Sequence, residues 1–237
     1  MSDNRRVYRT IRMAILQMYP TEAKGNMARM LTTLAAMISG IVLGKSCQLP
    51  AIARKSPDQA KADSRIKRYS RWIQNERIDY EGYYLPFVKE LLVSLAHIRE
   101  LVFVIDGSEV GHDCITLMVS LIYGQRALPI TWLVVKGCKG HLSERLHLDL
   151  LSQLQAILPE NCQAIFLGDG EFDGIELQAA LQSLGLRYVC RTAKNIQIQD
   201  DGAWSSLEDL NVACGKRAFR KHVLFTQAAY GPVLVIA

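Results

Sequence analysis

The sequence predicts an α/β chain, α+β overall, in which a mixed sheet of order βββαβαβ follows a helical N-terminal module. Three observations carry this. Apolar residues recur at helical spacing as far as residue 98, they come in short continuous runs from residue 101, and amphipathic stretches separate the later runs. Three segments follow: a basic helical module over 1–98, a sheet with its helices over 99–194, and the start of a β-rich segment over 195–237. The 237 residues suffice for one large core or two small ones.

Within the module, residues 5–17 begin basic and become amphipathic. Residues 26–44 are rich in Ala, Leu and Met, which predicts a helix with Asn26 as N-cap and Gly44 as its stop. Gln48-Leu49-Pro50 is a break. Residues 51–77 form a second helical stretch, with Ser56-Pro57-Asp58 fitting a helix start. In it Ile66, Tyr69, Trp72 and Ile73 make one apolar face, surrounded by Arg65, Lys67, Arg68 and Arg71. Tyr84 to His97 gives a further amphipathic helix.

The pattern changes at Leu101-Val102-Phe103-Val104-Ile105, an apolar run closed by Asp106-Gly107 and expected to be a strand buried on both faces. Cys114–Tyr123 and Ala127–Lys136 are the next two strands. Their short connections require an antiparallel meander. Glu144–Leu158 is a helix with Leu146, Leu150, Leu151 and Leu154 on one side. Gln163–Leu167 is a fourth strand, Gly174–Leu184 a helix stopped by Gly185, and Leu186–Arg191 a fifth strand. Helices between strands three, four and five imply parallel crossovers. Beyond residue 195 the chain reads as β-rich.

Composition narrows the classes. Hydrophobic residues at 49% and charged residues at 22% exclude extensive disorder. Residues 1–80 hold 15 Lys/Arg against 6 Asp/Glu, and residues 81–237 hold 13 against 17. A basic third joined to a slightly acidic remainder points to a polyanion-binding module attached to something else. The six cysteines form no CxxC pair and are expected to be free thiols in a reducing cytosol. The longest uncharged run, Met30–Gly44, falls short of the roughly 20 residues that span a bilayer, and no secretory signal is visible. A cytoplasmic, nucleoid-associated protein with no membrane partner is expected.

Asp106 and Asp169 each follow an apolar strand and precede a glycine. If strands one and four lie parallel and adjacent, both carboxylates meet in the crevice above the sheet. Two close carboxylates repel, and a cation relieves that cost. Oxygen ligands suit Mg²⁺ or Mn²⁺, and two such ions about 4 Å apart can activate water and stabilise the leaving oxygen of a phosphodiester. The plainer reading makes each Asp a turn residue before Gly.

The segments VFVIDGSEVG, LPITWLVVKGCKGH, AIFLGDGEFDG and LRYVCRTAKN, together with RYSRWIQN, resemble DDE insertion-sequence transposases of the insertion-sequence-four-like group. In that group a ribonuclease H-like core carries a β-rich insertion after its fifth strand. The resemblance covers residues 60–200. It implies that Asp106 and Asp169 are the first two catalytic carboxylates, with Asp106 bridging two metals and Asp169 holding one. The implied reaction is hydrolysis at a transposon end followed by attack of the freed 3′-hydroxyl on target DNA, with double-stranded DNA as partner and a homodimer as the working form. The family's third carboxylate is a Glu within a Tyr/Arg/Glu/Lys signature. Asp200, Asp201, Glu208 and Asp209 do not sit in one, and the chain is expected to end inside the insertion. Glu109, Asp113, Glu171, Asp173 and Glu176 are not obvious substitutes, and Asp173 is expected to cap the helix that follows.

Among weaker candidates, His141 and His147 are six apart, unlike two ligands on one helical face; His112 stands apart from both. Lys136, Lys139 and His141 flank a Gly-rich loop that lacks Walker spacing; an ordinary solvated loop is the plainer reading, and phosphate contact the alternative. Arg191 and Lys194 either contact DNA phosphates or cap a strand end. Arg65, Lys67, Arg68 and Arg71 are the better phosphate contacts. Three functions compete: a DDE transposase or its N-terminal part, a truncated product that binds DNA or a full-length partner and inhibits transposition, and a related metal nuclease whose third acid lies elsewhere.

Overall fold

A computed structural model describes residues 3–58, 60–137 and 142–237. The chain is a mixed α+β protein that divides into two units, Met1–Ser94 and Leu95–Ala237. The second unit contains both the mixed sheet and the β-rich segment.

The first unit is helical: α1 (Asp3–Met18), α2 (Gly25–Gly44), α3 (Leu49–Lys55), α4 (Ala62–Ile73) and α5 (Tyr80–Tyr83), with α6 (Leu85–Ala96) closing it. Leu31, Ala35, Ala36 and Met37 bury one face of α2. By length and composition alone α2 could cross a membrane. Gly40 lets α3 pack close, because a Cβ there would lie 2.6 Å from Ile52 Cγ2 and 2.7 Å from Ile52 O. The observed helix ends correct several expectations. Lys24, not Asn26, is the N-cap of α2, and the helix runs through Gly44, with Lys45 taking the left-handed conformation after it.

Gln48-Leu49-Pro50 starts a helix rather than breaking one, since Pro50 fits the first turn, where its missing N–H costs nothing. The stretch 51–77 is two helices, because Ser56 terminates α3: its N–H and hydroxyl both return to Ile52 O, at 3.0 and 3.2 Å. The Ser56 hydroxyl also meets the hydroxyl of Tyr69, which is fully buried. Ile66 and Trp72 pack around that centre. Ile73 does not join them and is 57% exposed.

In the second unit, β1 (Leu101–Gly111), β2 (Cys114–Tyr123), β3 (Arg126–Lys136), β4 (Ala164–Gly168) and β5 (Arg187–Cys190) form a sheet of order β3-β2-β1-β4-β5. The meander β1–β2–β3 is antiparallel, and β1–β4 and β4–β5 are parallel. Helices α7 (Glu144–Gln155) and α8 (Ile175–Ser183) make the crossovers.

One sheet face is dry: Leu101, Phe103, Ile105, Leu117, Val119, Leu121 and Phe166 are buried, as are Leu150, Leu151 and Leu154 of α7. Each such side chain contributes about 1.5–3 kcal/mol. The opposite face, with Val102, Val104, Ile165 and Leu167, is only half-buried, so β1 is not buried on both sides as its composition suggested. Nor does β1 end at Asp106-Gly107. It continues to Gly111 because β2 supplies partners, Asp106 against Met118 and Gly107 against Leu117.

The N-cap of α8 is Gly174, not Asp173. The cap comes from another helix, as Glu144 Oε1 accepts the Leu177 N–H at 2.9 Å. A Cβ at Gly174 would fall 2.1 Å from that oxygen, so a larger residue there would displace the Glu144 carboxylate. The remaining chain forms a second, antiparallel sheet of order β7-β6-β8-β9 from β6 (Gln197–Asp200), β7 (Ala203–Ser206), β8 (Phe219–Phe225) and β9 (Tyr230–Ile236). Ile198, Val223 and Phe225 are its core.

Candidate functional site

The pairing of β1 with β4 gives the two aspartates matching positions just beyond the parallel ladder. From Leu101 to Val104 each β1 residue faces the β4 residue 63 positions on, Leu101 with Ala164 and Val104 with Leu167. Asp169 is 63 positions on from Asp106. Carried two residues past the ladder, the same offset sets them level. The β4–β5 offset, Ile165 with Arg187 and Gly168 with Cys190, then sets Arg191 beside Asp169. The Arg191 N–H extends that pairing, donating to Gly168 O at 3.0 Å. On the other side Asp106 pairs with Met118, and Met118 with Trp132. Extended one residue past β4 and β5, the row reads Trp132, Met118, Asp106, Asp169, Arg191. Side chains alternate faces along a strand, which places Asp106 with Val102 and Val104 on the half-buried face. Asp106, Asp169 and Arg191 are exposed.

Asp169 is held by its own turn. Its Oδ1 accepts the Glu171 N–H at 3.0 Å, and its main-chain carbonyl accepts the Phe172 N–H at 3.0 Å. Phe172 is fully buried beneath. Gly168 allows this fold-back, since a Cβ there would lie 2.8 Å from Phe172 Cβ. The spacing Gly168-Asp169-x-x-Phe172 thus has a mechanical meaning: a glycine for close approach, a carboxylate that closes the turn, and an aromatic plug. Asp173 does not join the pair, as it accepts the Thr192 hydroxyl.

Behind the turn lies a cluster that sequence reasoning passed over. A Cβ on Gly107 would sit 3.8 Å from Glu171 Oε2. The other oxygen, Oε1, is buried with no hydrogen-bond partner among the described residues. His147 of α7 is 2% exposed, its ring centroid is 4.8 Å from that of Phe172, and neither of its nitrogens has a partner among the described residues. Burial pushes its imidazole below the ordinary histidine range, against the attraction of Glu171 and Glu144. Burial also pushes the Cys190 thiol up to about 11, with Asp173 adding to the shift. The amphipathic pattern of α7 gave one signal, since His147 lies three residues before Leu150 on its buried stripe.

The other candidates separate. Lys67, Arg68 and Arg71 line a cleft of about 670 Å³ in the first unit. Arg65 is not among its lining residues: its side chain is 14% exposed and Nη1 donates to Ser56 O and Asp58 O at 3.1 and 3.0 Å. Lys194 pairs with Glu208 at 3.3 Å on the surface, an arrangement worth about 0–1 kcal/mol. Lys139 and His141 lie outside the described residues. The five described cysteines are free.

Oxygen donors at Asp106 and Asp169 have the chemistry that Mg²⁺ or Mn²⁺ prefers. Among the described residues no group of three His, Cys, Asp or Glu side chains is placed to hold an ion. No family model matches the chain, and neither does any curated protein.

Proposed function

We propose that the chain is a transposase-type protein of ribonuclease H-like fold that acts on DNA, with Asp106 and Asp169 as the acidic pair of a phosphodiester-cleaving centre. The observation that supports this reading is the 63-residue offset of the β1–β4 ladder, which Asp106 and Asp169 share just beyond its last pair. The antiparallel meander continued by two parallel strands across α7 and α8 supports it, since the ribonuclease H-like reading requires that pattern.

Asp106 and Asp169 would hold Mg²⁺ or Mn²⁺. When bound, the metal would activate the attacking water and stabilise the leaving oxygen. The remaining work falls to the chain itself. The Glu171 N–H orients the Asp169 carboxylate through Oδ1, and Oδ2 has no hydrogen-bond partner among the described residues. Arg191, in the same row, offers a guanidinium to a non-bridging phosphate oxygen.

One observation favours a second reading, a protein that holds DNA or a full-length partner without cutting: no group of three His, Cys, Asp or Glu side chains converges among the described residues. Nicking of supercoiled plasmid in Mg²⁺ or Mn²⁺ separates the two. Nicking that Asp106→Asn and Asp169→Asn each abolish supports cleavage. Salt-dependent DNA retention with no nicking in either metal supports the second reading and refutes the first.

A further inference from the structure

Ser64, Lys67, Arg68 and Arg71 follow one another at helical spacing along a polar stripe of α4, and Asn75 lies just past its C-cap Gln74. They line the 670 Å³ cleft opposite Asn26, Arg29 and Thr33 of α2. Thr33 and Arg68 also line a second cleft of about 330 Å³, to which α1 contributes Arg5 and Arg9. The two hollows therefore meet along a common edge, and six cations from three helices surround them. Arg5, Arg9, Arg29, Lys67, Arg68 and Arg71 are all exposed. Asp58 is the acid in the lining.

We infer that these two clefts form one surface that grips the phosphodiester backbone of duplex DNA without regard to base sequence. The inference rests on DNA being the partner, as in the reading above, but not on cleavage.

The lining chemistry selects this ligand. Phosphate oxygens accept from guanidinium and ammonium groups and from short hydroxyl and amide donors. The first cleft interleaves both kinds, with Thr33, Ser64, Asn26 and Asn75 among the cations. Four of the cations, Arg5, Arg29, Lys67 and Arg71, make no ion pair among the described residues, so no protein anion competes for them. Arg68, at the shared edge, is fixed: its Nη2 meets Asp58 Oδ2 and lies 3.3 Å from the Tyr69 hydroxyl.

The aromatic side chain of the first cleft, Trp72, is tied down. Trp72 donates Nε1 to Met30 O at 3.1 Å and sets its ring edge-to-face with Tyr83 at 5.9 Å. That leaves neither a wedge for a lipid surface nor a free ring for stacking unpaired bases.

The test is fluorescence anisotropy of the full chain with two unrelated duplexes of about 30 base pairs, in EDTA, across roughly 50 to 300 mM salt. Both duplexes should bind alike. The log–log salt slope should be about −0.9 for each phosphate engaged, between roughly −3.6 and −5.4 for four to six. Arg29→Gln/Arg71→Gln and Arg5→Gln/Arg9→Gln should each cut affinity about tenfold or more and flatten the slope by about 2. The charge-keeping pair Arg29→Lys/Arg71→Lys should restore the slope, which separates lost contacts from lost fold. Arg12→Gln, on α1 but in neither cleft lining, should change nothing.

Wild-type affinity and slope in both double variants would overturn the inference. So would strong preference for one duplex, tighter binding to vesicles of anionic lipid than to duplex, or no binding at the lowest salt. Loss of nicking with these EDTA affinities intact would count against the carboxylates alone.

Discussion

Replacing His147 with Leu tests the account of the cluster behind Asp169. In the unfolded chain the imidazole titrates near its ordinary pKa of about 6.5. In the fold its burial at 2% exposure holds it neutral to lower pH. Below about pH 6.5 the unfolded chain takes up a proton that the folded chain refuses, so stability falls as pH falls, by up to about 1.4 kcal/mol per unit. The fall stops at the depressed pKa of the folded group, and above about pH 6.5 the residue adds no slope. Between about pH 8 and pH 5 the wild type should lose up to about 2 kcal/mol more than His147→Leu.

Leu is close to His in size, and the imidazole has no hydrogen-bond partner among the described residues. At about pH 8 the substitution should therefore cost less than about 1 kcal/mol. Urea unfolding at the two pH values measures both quantities. Equal pH slopes in the two proteins would refute the reasoning. So would a loss above about 3 kcal/mol at about pH 8, which would mean that the ring makes strong bonds in the fold.

Three further outcomes follow from close approaches. Gly168→Ala should cost about 1–3 kcal/mol and displace the Asp169 turn, because its Cβ would meet Phe172 Cβ at 2.8 Å; an unchanged Tm would contradict this. Gly40→Ala should destabilise by a similar amount, about 1–3 kcal/mol, despite its better helix propensity, since Ile52 stands at 2.6 Å; a rise in Tm would show that propensity wins. Glu144→Ala should cost about 0.5–2 kcal/mol by uncapping α8, seen as faster hydrogen exchange at Leu177 than at Leu150 of α7; equal protection would deny the cap.

The parts of the fold carried by local pattern were legible. The apolar runs at Leu101–Ile105 and Cys114–Tyr123 and the stripe Leu150-Leu151-Leu154 state their own period. Asp106-Gly107 was misleading, because its composition is that of a turn while the antiparallel partner β2 holds it extended. Ser56-Pro57-Asp58 likewise has the residues of a helix start. The buried hydroxyl pair of Ser56 and Tyr69, 13 positions apart, makes it a helix end instead. At the aspartates, the spacing of 63 was visible but became a register only once β1 and β4 paired. The basic groups of α4 were visible as a stripe, whereas Arg5, Arg9 and Arg29 join them only through the packing of α1 and α2. Arg65 shares their composition and spacing, and its inward turn depends on the loop at 56–58.

The account centres on Asp106 and Asp169 acting as one pair. Mn²⁺ titration followed by electron paramagnetic resonance, on the wild type, Asp106→Asn, Asp169→Asn and the double variant, addresses that pairing directly. The account predicts Mn²⁺ binding by the wild type, loss of it in either single variant, and no further loss in the double, because each carboxylate is useless without the other. Independent, additive losses, or wild-type Mn²⁺ binding that survives both substitutions, would contradict it.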